Sequence, residues 1–165
     1  MDRPDIVIFM TDEERAAPSY EANNLQHWRQ EILTGRKWFT DHGADFGRHY
    51  TGSLACVPSR PTLFTGQYPD VHGVTQTDGL GKMANDTRLR WLPPFEVPTL
   101  GNWFTAAGYD THYDGKWHIS HADLTDPTTG KVLATNDAHG VIDASAVDAY
   151  LSANPLEPYG FSGWV

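Results

Sequence analysis

Asp5-Ile6-Val7-Ile8-Phe9-Met10 is the stretch on which the fold class turns. Its apolar residues are consecutive rather than alternating, and Ile6, Val7 and Ile8 are β-branched. Such a run reads as a strand buried on both faces, as in a sheet covered by helices. It passes directly into Thr11-Asp12-Glu13-Glu14. Carboxylates therefore follow the carboxyl end of the expected strand, which is where open α/β sheets bind ligands.

Outward from this run, helical and extended patterns alternate. Residues 24–42 place Leu25, Trp28, Ile32, Leu33, Trp38 and Phe39 at roughly helical spacing, with Gly35 as the expected break. Residues 44–51 are expected to form a second strand. Pro58 suits the first position of a helix, where its missing N–H costs nothing, and that helix should run to Thr65 and stop at Gly66. Residues 67–98 are rich in Gly, Pro, Asn and Asp and read as a long irregular excursion of the functional or mobile kind. Thr99 is the expected N-cap of a helix that places Leu100, Trp103, Phe104 and Ala107 on one face and closes at Gly108. A strand over 109–113 should lead into Asp114-Gly115-Lys116-Trp117-His118. Residues 121–142 are polar and turn-rich, and Asp143 should cap a last helix over 143–151. The alternation indicates an α/β sheet. The tail, Pro158 to Val165, carries apolar and aromatic residues to its last position and closes no element, so more chain is expected to follow.

The 165 residues carry 12 Lys+Arg against 21 Asp+Glu, a formal net charge of −9. That balance disfavours a phosphate-tracking surface and hence a nucleic-acid partner; it suits carboxylates that hold a divalent cation. No apolar run approaches the ~20 residues that cross a bilayer. The run at 6–10 lacks both the length and the basic leader of a signal peptide, so no membrane contact and a cytoplasmic location are expected. The lone cysteine, Cys56, can form neither an internal disulfide nor a multi-cysteine zinc site. By itself it is a small buried hydrophobe or a reactive group, and its neighbours decide. His112, His118 and His121 have no zinc-site spacing. Asp78-Gly79-Leu80-Gly81-Lys82 lacks the register of a phosphate loop.

Those neighbours are Cys56-Val57-Pro58-Ser59-Arg60-Pro61-Thr62-Leu63-Phe64-Thr65-Gly66, which fit C-x-P-S-R-x-x-L-x-T-G at every specified position. With each residue type near one in twenty, such a match arises by chance on the order of once per billion start points. The segment resembles the signature of the type I sulfatases, the formylglycine-dependent members of the alkaline phosphatase superfamily. Gly115-Lys116-Trp117-His118 resembles the Gly-Lys-Trp-His segment of that family, Asp12-Glu13 its metal-binding acidic pair, and His72-Gly73 a segment that follows its signature helix, for which no catalytic role is expected.

The resemblance spans essentially the whole chain and implies an alkaline-phosphatase-like α/β/α sandwich with a largely parallel sheet, incomplete here. Residues 1–165 would be the N-terminal part of a single catalytic domain. It implies that Cys56 is oxidised by a formylglycine-generating enzyme. The aldehyde hydrates to a diol, one hydroxyl of which attacks the sulfur of a small-molecule sulfate ester while the other lets the product collapse and expel sulfate. Arg60, one turn along the helix, would hold the diol or a metal-bound oxygen. Lys116 would bind a sulfate oxygen as a point charge. His118 would hydrogen-bond the diol and help remove its second proton. Lys116 and His118, two apart on an extended stretch, would face the same side. Asp12, Glu13 and residue 56 would ligate the cation, calcium foremost, with magnesium or manganese as alternatives. Glu13 departs from the family, where Asp is commoner and Gln is seen.

Other site residues of the family lie later in its sequences: a metal-binding Asp with an adjacent Asn or His, a general-acid His and a second Lys. Nothing in 1–165 matches them, so the 165 residues alone are expected to be inactive. The rival readings are a phosphonate monoester or phosphodiester hydrolase of the same superfamily, and a non-catalytic metal- or anion-binding relative that keeps Cys56 as a thiol.

Overall fold

The computed structural model describes residues 3–79, 81–83, 86–120, 139 and 141–164. His121 and the expected turn-rich stretch from 121 to 138 lie outside these. The chain divides into two compact units, Met1–Tyr50 and Thr51–Val165.

The first unit contains α1 (Asn23–Ile32) and α2 (Thr34–His42). They break at Leu33 (φ −84°, ψ 61°), whose N–H reaches Arg29 O at 2.9 Å. The break thus falls before Gly35, which is carried inside the first turn of α2. Neither helix buries a residue, and Trp28, Ile32, Trp38 and Phe39 all face solvent. Ion pairs link the helices to the segment before them: Arg29 with Glu21, and Arg36 with Glu14 at 3.1 Å.

Two expected strands do not form. Residues 5–10 are irregular and exposed, Val7 at 72% and Phe9 at 82%. Residues 44–51 contain a turn and no strand. A strand exists through the neighbour that takes its N–H and C=O groups, and among the described residues neither segment has one. The apolar pattern is present without its ladder.

The second unit holds the core. α3 (Cys56–Thr65) starts earlier than Pro58 suggested, with Cys56 itself as the first helical residue. Pro58 still lies among the opening positions whose N–H groups have no intrahelical acceptor. Thr62 and Thr65 hydroxyls bond back to Pro58 O (2.9 Å) and Pro61 O (2.6 Å). Gly66 ends the helix in the left-handed region (φ 70°), as expected, because glycine adopts that backbone without the strain a side chain brings. Among the described residues of 67–98 the one regular element is the short α4 (Pro69–His72).

α5 (Leu100–Ala106) is capped as expected: Thr99 N–H donates to Asn102 Oδ1 at 2.8 Å. Its buried position is Gly101, whereas Trp103 is exposed, because the backbone of 159–161 passes too close for a larger face. The strand expected over 109–113 is confined to β1 (His112–Tyr113). It pairs in parallel with β2 (Gly163–Trp164), His112 opposite Gly163. A parallel pair needs a crossover, and this one includes α6 (Ala144–Ser152), where Asp143 Oδ1 accepts from Ser145 N (3.0 Å) and Ala146 N (3.1 Å). This ladder is the only sheet among the described residues.

Trp117 sits at the centre of the core. Its ring meets Phe64, Tyr113, Tyr159 and Phe161 at centroid separations of 5.4, 5.1, 5.0 and 5.8 Å, all edge-on, the arrangement that aromatic quadrupoles favour. Val57, Val74, Leu92, Ile119 and Leu156 complete the buried cluster.

Candidate active site

Because Cys56 opens α3, its side chain stands at the positive end of a ten-residue helix. Lys116 Nζ approaches Cys56 Sγ at 3.6 Å. The lysine is held there by its neighbours. Trp117 is locked into the aromatic cluster, and Gly115 turns the chain with φ 93°, a value that favours glycine. The Tyr113 hydroxyl donates to Lys116 O; burial pushes the Tyr113 phenol up from its ordinary value.

Arg60, buried at 6% exposure, aims one turn along α3 at the same segment. Its Nη1 donates to Lys116 O, to Trp117 O at 3.3 Å and to the Tyr113 hydroxyl at 3.5 Å. Arg60 therefore staples the signature helix to the Gly-Lys-Trp-His segment, a use that the sequence pattern did not announce.

His118 does not follow Lys116 to the same partner. Its backbone is left-handed (φ 53°), which breaks the extended alternation that would have put the two side chains on one side. Its Nε2 lies 2.9 Å from Asp78 Oδ1 and its ring tilts against Trp91 at 5.6 Å. The structure thus brings Cys56, Arg60 and Lys116 together and pairs His118 with Asp78. Asp12 and Glu13 belong to the first unit, where both are exposed. Glu13 also has a left-handed backbone (φ 60°), rare for a non-glycine residue. Two adjacent carboxylates are hard oxygen donors, and that chemistry fits calcium, magnesium or manganese.

His72 is almost fully buried. Val74 N–H donates to its Nδ1 at 3.1 Å, which leaves the hydrogen on Nε2, 3.1 Å from Thr62 Oγ1; that hydroxyl in turn donates to Pro58 O. Burial, helped by the charge of Arg90, pulls the His72 pKa below its ordinary 6.5. It fastens α3 through Thr62 and has no spare nitrogen for chemistry. In the first unit, a cleft of about 450 Å³ is lined by Arg29, Arg36, Lys37 and Asp41, among others. Each of those bases already pairs with a carboxylate, Lys37 with Asp41 at 2.6 Å.

A cysteine at a helix start with an ammonium group beside its sulfur defines a class of site: a nucleophile position prepared for an anionic partner. The sulfatase family model matches residues 4–163, and the chain belongs to the sulfatase family. An uncharacterized sulfatase, YidJ, of Escherichia coli K12 is 31% identical over 125 residues, which cover 74% of this chain and 22% of that protein. The Delta 4,5-hexuronate-2-O-sulfatase of Bacteroides thetaiotaomicron is 31% identical over 127 residues, 71% of this chain and 25% of its own length. An extracellular sulfatase SULF-1 homolog of Drosophila melanogaster is 30% identical over 116 residues, 70% and 9% respectively. The chain thus spans a quarter or less of the length of these relatives. No solved structure matches it. The family implies an alkaline-phosphatase-like α/β fold, and its members generally use formylglycine and a divalent cation.

Proposed function

We propose that the protein hydrolyses sulfate esters, with a formylglycine derived from Cys56 as its nucleophile, in a largely parallel α/β/α sandwich. The observation that carries this reading is Lys116 Nζ standing 3.6 Å from Cys56 Sγ at the first turn of α3. The sulfur marks where the attacking oxygen of the modified residue would stand. Formylglycine supplies a hydroxyl that attacks and a second that permits release. A divalent cation, calcium in first place, would supply Lewis-acid polarisation of the sulfate oxygens, with Asp12 and Glu13 as its carboxylate ligands.

The chain's own residues do the rest. Lys116 binds a non-bridging sulfate oxygen and offsets charge that builds as the ester bond breaks. The helix start adds a fixed positive potential that costs no reorganisation. Arg60, anchored to the carbonyls of Lys116 and Trp117, holds that ammonium in register with residue 56. His118 accepts a proton from a hydroxyl. The partners are a small-molecule sulfate ester and, during maturation, a formylglycine-generating enzyme; the location is cytoplasmic.

The test is the mass of the peptide containing Cys56, from protein made in its own source, together with turnover of an aryl sulfate and an aryl phosphonate. An aldehyde oxygen in place of sulfur, with sulfate the preferred substrate, supports the reading. An intact thiol removes the mechanism and leaves a binding protein. The aldehyde with phosphonate preferred moves the protein to the phosphonate hydrolases.

A further inference from the structure

The contact between His118 and Asp78 joins two segments that are 40 residues apart, His118 Nε2 to Asp78 Oδ1 at 2.9 Å. An ionised carboxylate offers only lone pairs, so the hydrogen in this bond sits on Nε2. In a neutral imidazole the other nitrogen, Nδ1, is then the acceptor. That Nδ1 is buried and has no hydrogen-bond partner among the described residues. Among those residues its lone pair is thus unused, although buried polar atoms are as a rule paired. Two further constraints hold the ring: the tilted face of Trp91 at 5.6 Å and a left-handed backbone (φ 53°). Strained backbone of that kind persists where the surroundings over-determine it. Asp78 itself lies in a turn closed by the Gly79 N–H on Lys82 O at 2.8 Å.

We propose that Asp78 is the positioning residue of His118: it fixes the Nε2–H tautomer and so leaves Nδ1 as the atom that takes a proton from a reacting hydroxyl. This rests on the sulfate-ester reading. In the step, the O–H bond breaks, the proton goes to Nδ1, and the electron pair stays on oxygen. The imidazolium that forms is balanced by the Asp78 carboxylate at its other nitrogen. A carboxylate behind a histidine both orients the ring and raises its basicity.

The decisive experiment is nitrogen-15 NMR of histidine-labelled protein, with the His118 signal assigned by its loss in His118→Gln. The expected wild-type signature is a protonated Nε2 and a bare Nδ1. Asp78→Ala should turn this into a tautomer mixture, and Asp78→Glu should restore it. In turnover of an aryl sulfate, Asp78→Ala should lower kcat by about 10- to 100-fold with little change in KM, and Asp78→Glu should recover part of the loss. A wild-type His118 protonated at Nδ1 would overturn the proposal, as would an unchanged tautomer in Asp78→Ala. If Asp78→Ala does not fold, the wild-type signature still decides, since it is read without any variant of Asp78. Should the protein made in its own source turn over no sulfate ester, the functional reading fails, whereas the Asp78–His118 tautomer is judged on its own spectrum.

Discussion

Replacing Arg60 by Met keeps the apolar stem that packs in α3 and removes every donor from its end. Nη1 carries two hydrogens and faces three acceptors: Lys116 O, Trp117 O at 3.3 Å and the Tyr113 hydroxyl at 3.5 Å. It can serve two of them at full strength, and a hydrogen bond from a charged donor contributes about 1.5–3 kcal/mol. The loss is therefore about 3–6 kcal/mol by that scale. The lower half of the range is expected, because the Tyr113 hydroxyl still serves Lys116 O. Arg60→Lys retains the charge and can regain one of the two bonds, so about half the loss should return. Urea unfolding followed by tryptophan fluorescence gives both values, since Trp117 is buried in the affected core. Arg60→Met within about 0.5 kcal/mol of the wild type, the spread of ordinary surface substitutions, would refute the staple. So would Arg60→Lys being no better than Arg60→Met.

Further outcomes follow from the same unit. Gly101→Ala should destabilise by about 1–3 kcal/mol, the usual cost of overpacking, since a Cβ there would lie 2.5 Å from Tyr159 O and 3.0 Å from the Phe161 ring; thermal melting checks it, and an unchanged melting temperature counts against the close approach. His72 should make stability depend on pH in one direction. Burial holds its folded pKa below the ordinary 6.5, so the unfolded chain binds the proton more readily, and the contribution is complete above pH 6.5 and lost as pH falls through the folded value. Unfolding free energies measured from pH 7 downward should decline in the wild type and decline less in His72→Gln; parallel curves would dismiss the assignment.

What could be read from the sequence was what neighbouring residues decide among themselves. The cap at Asp143, the stop at Gly66 and the N-cap position at Thr99 are all local, and all stand where the sequence places them. Residues 5–10 show the limit of that reading. Their pattern is that of a buried strand, but a strand is completed by a partner from elsewhere, and among the described residues none pairs with it. Leu33 rather than Gly35 breaks the first helical stretch, and α2 carries Gly35 in its first turn, since a single glycine costs a helix only about 1 kcal/mol. The structure stands Lys116 Nζ beside Cys56 Sγ, two residues that the motifs single out separately. Those motifs could not announce Asp78, whose link to His118 crosses 40 residues and belongs to no periodicity.

The aromatic lock around Trp117 also has a place in time. Tyr159 and Phe161 cover a core whose first members, Val57 and Phe64, lie on the segment with Cys56. A ribosome adds about 5–20 residues per second, so the hundred or so residues between the two take roughly 5–20 s to appear. Through that interval 56–66 is an open chain with no finished core to close over it. An enzyme that reads this segment as linear sequence has those seconds in which to work, before the last aromatic rings arrive.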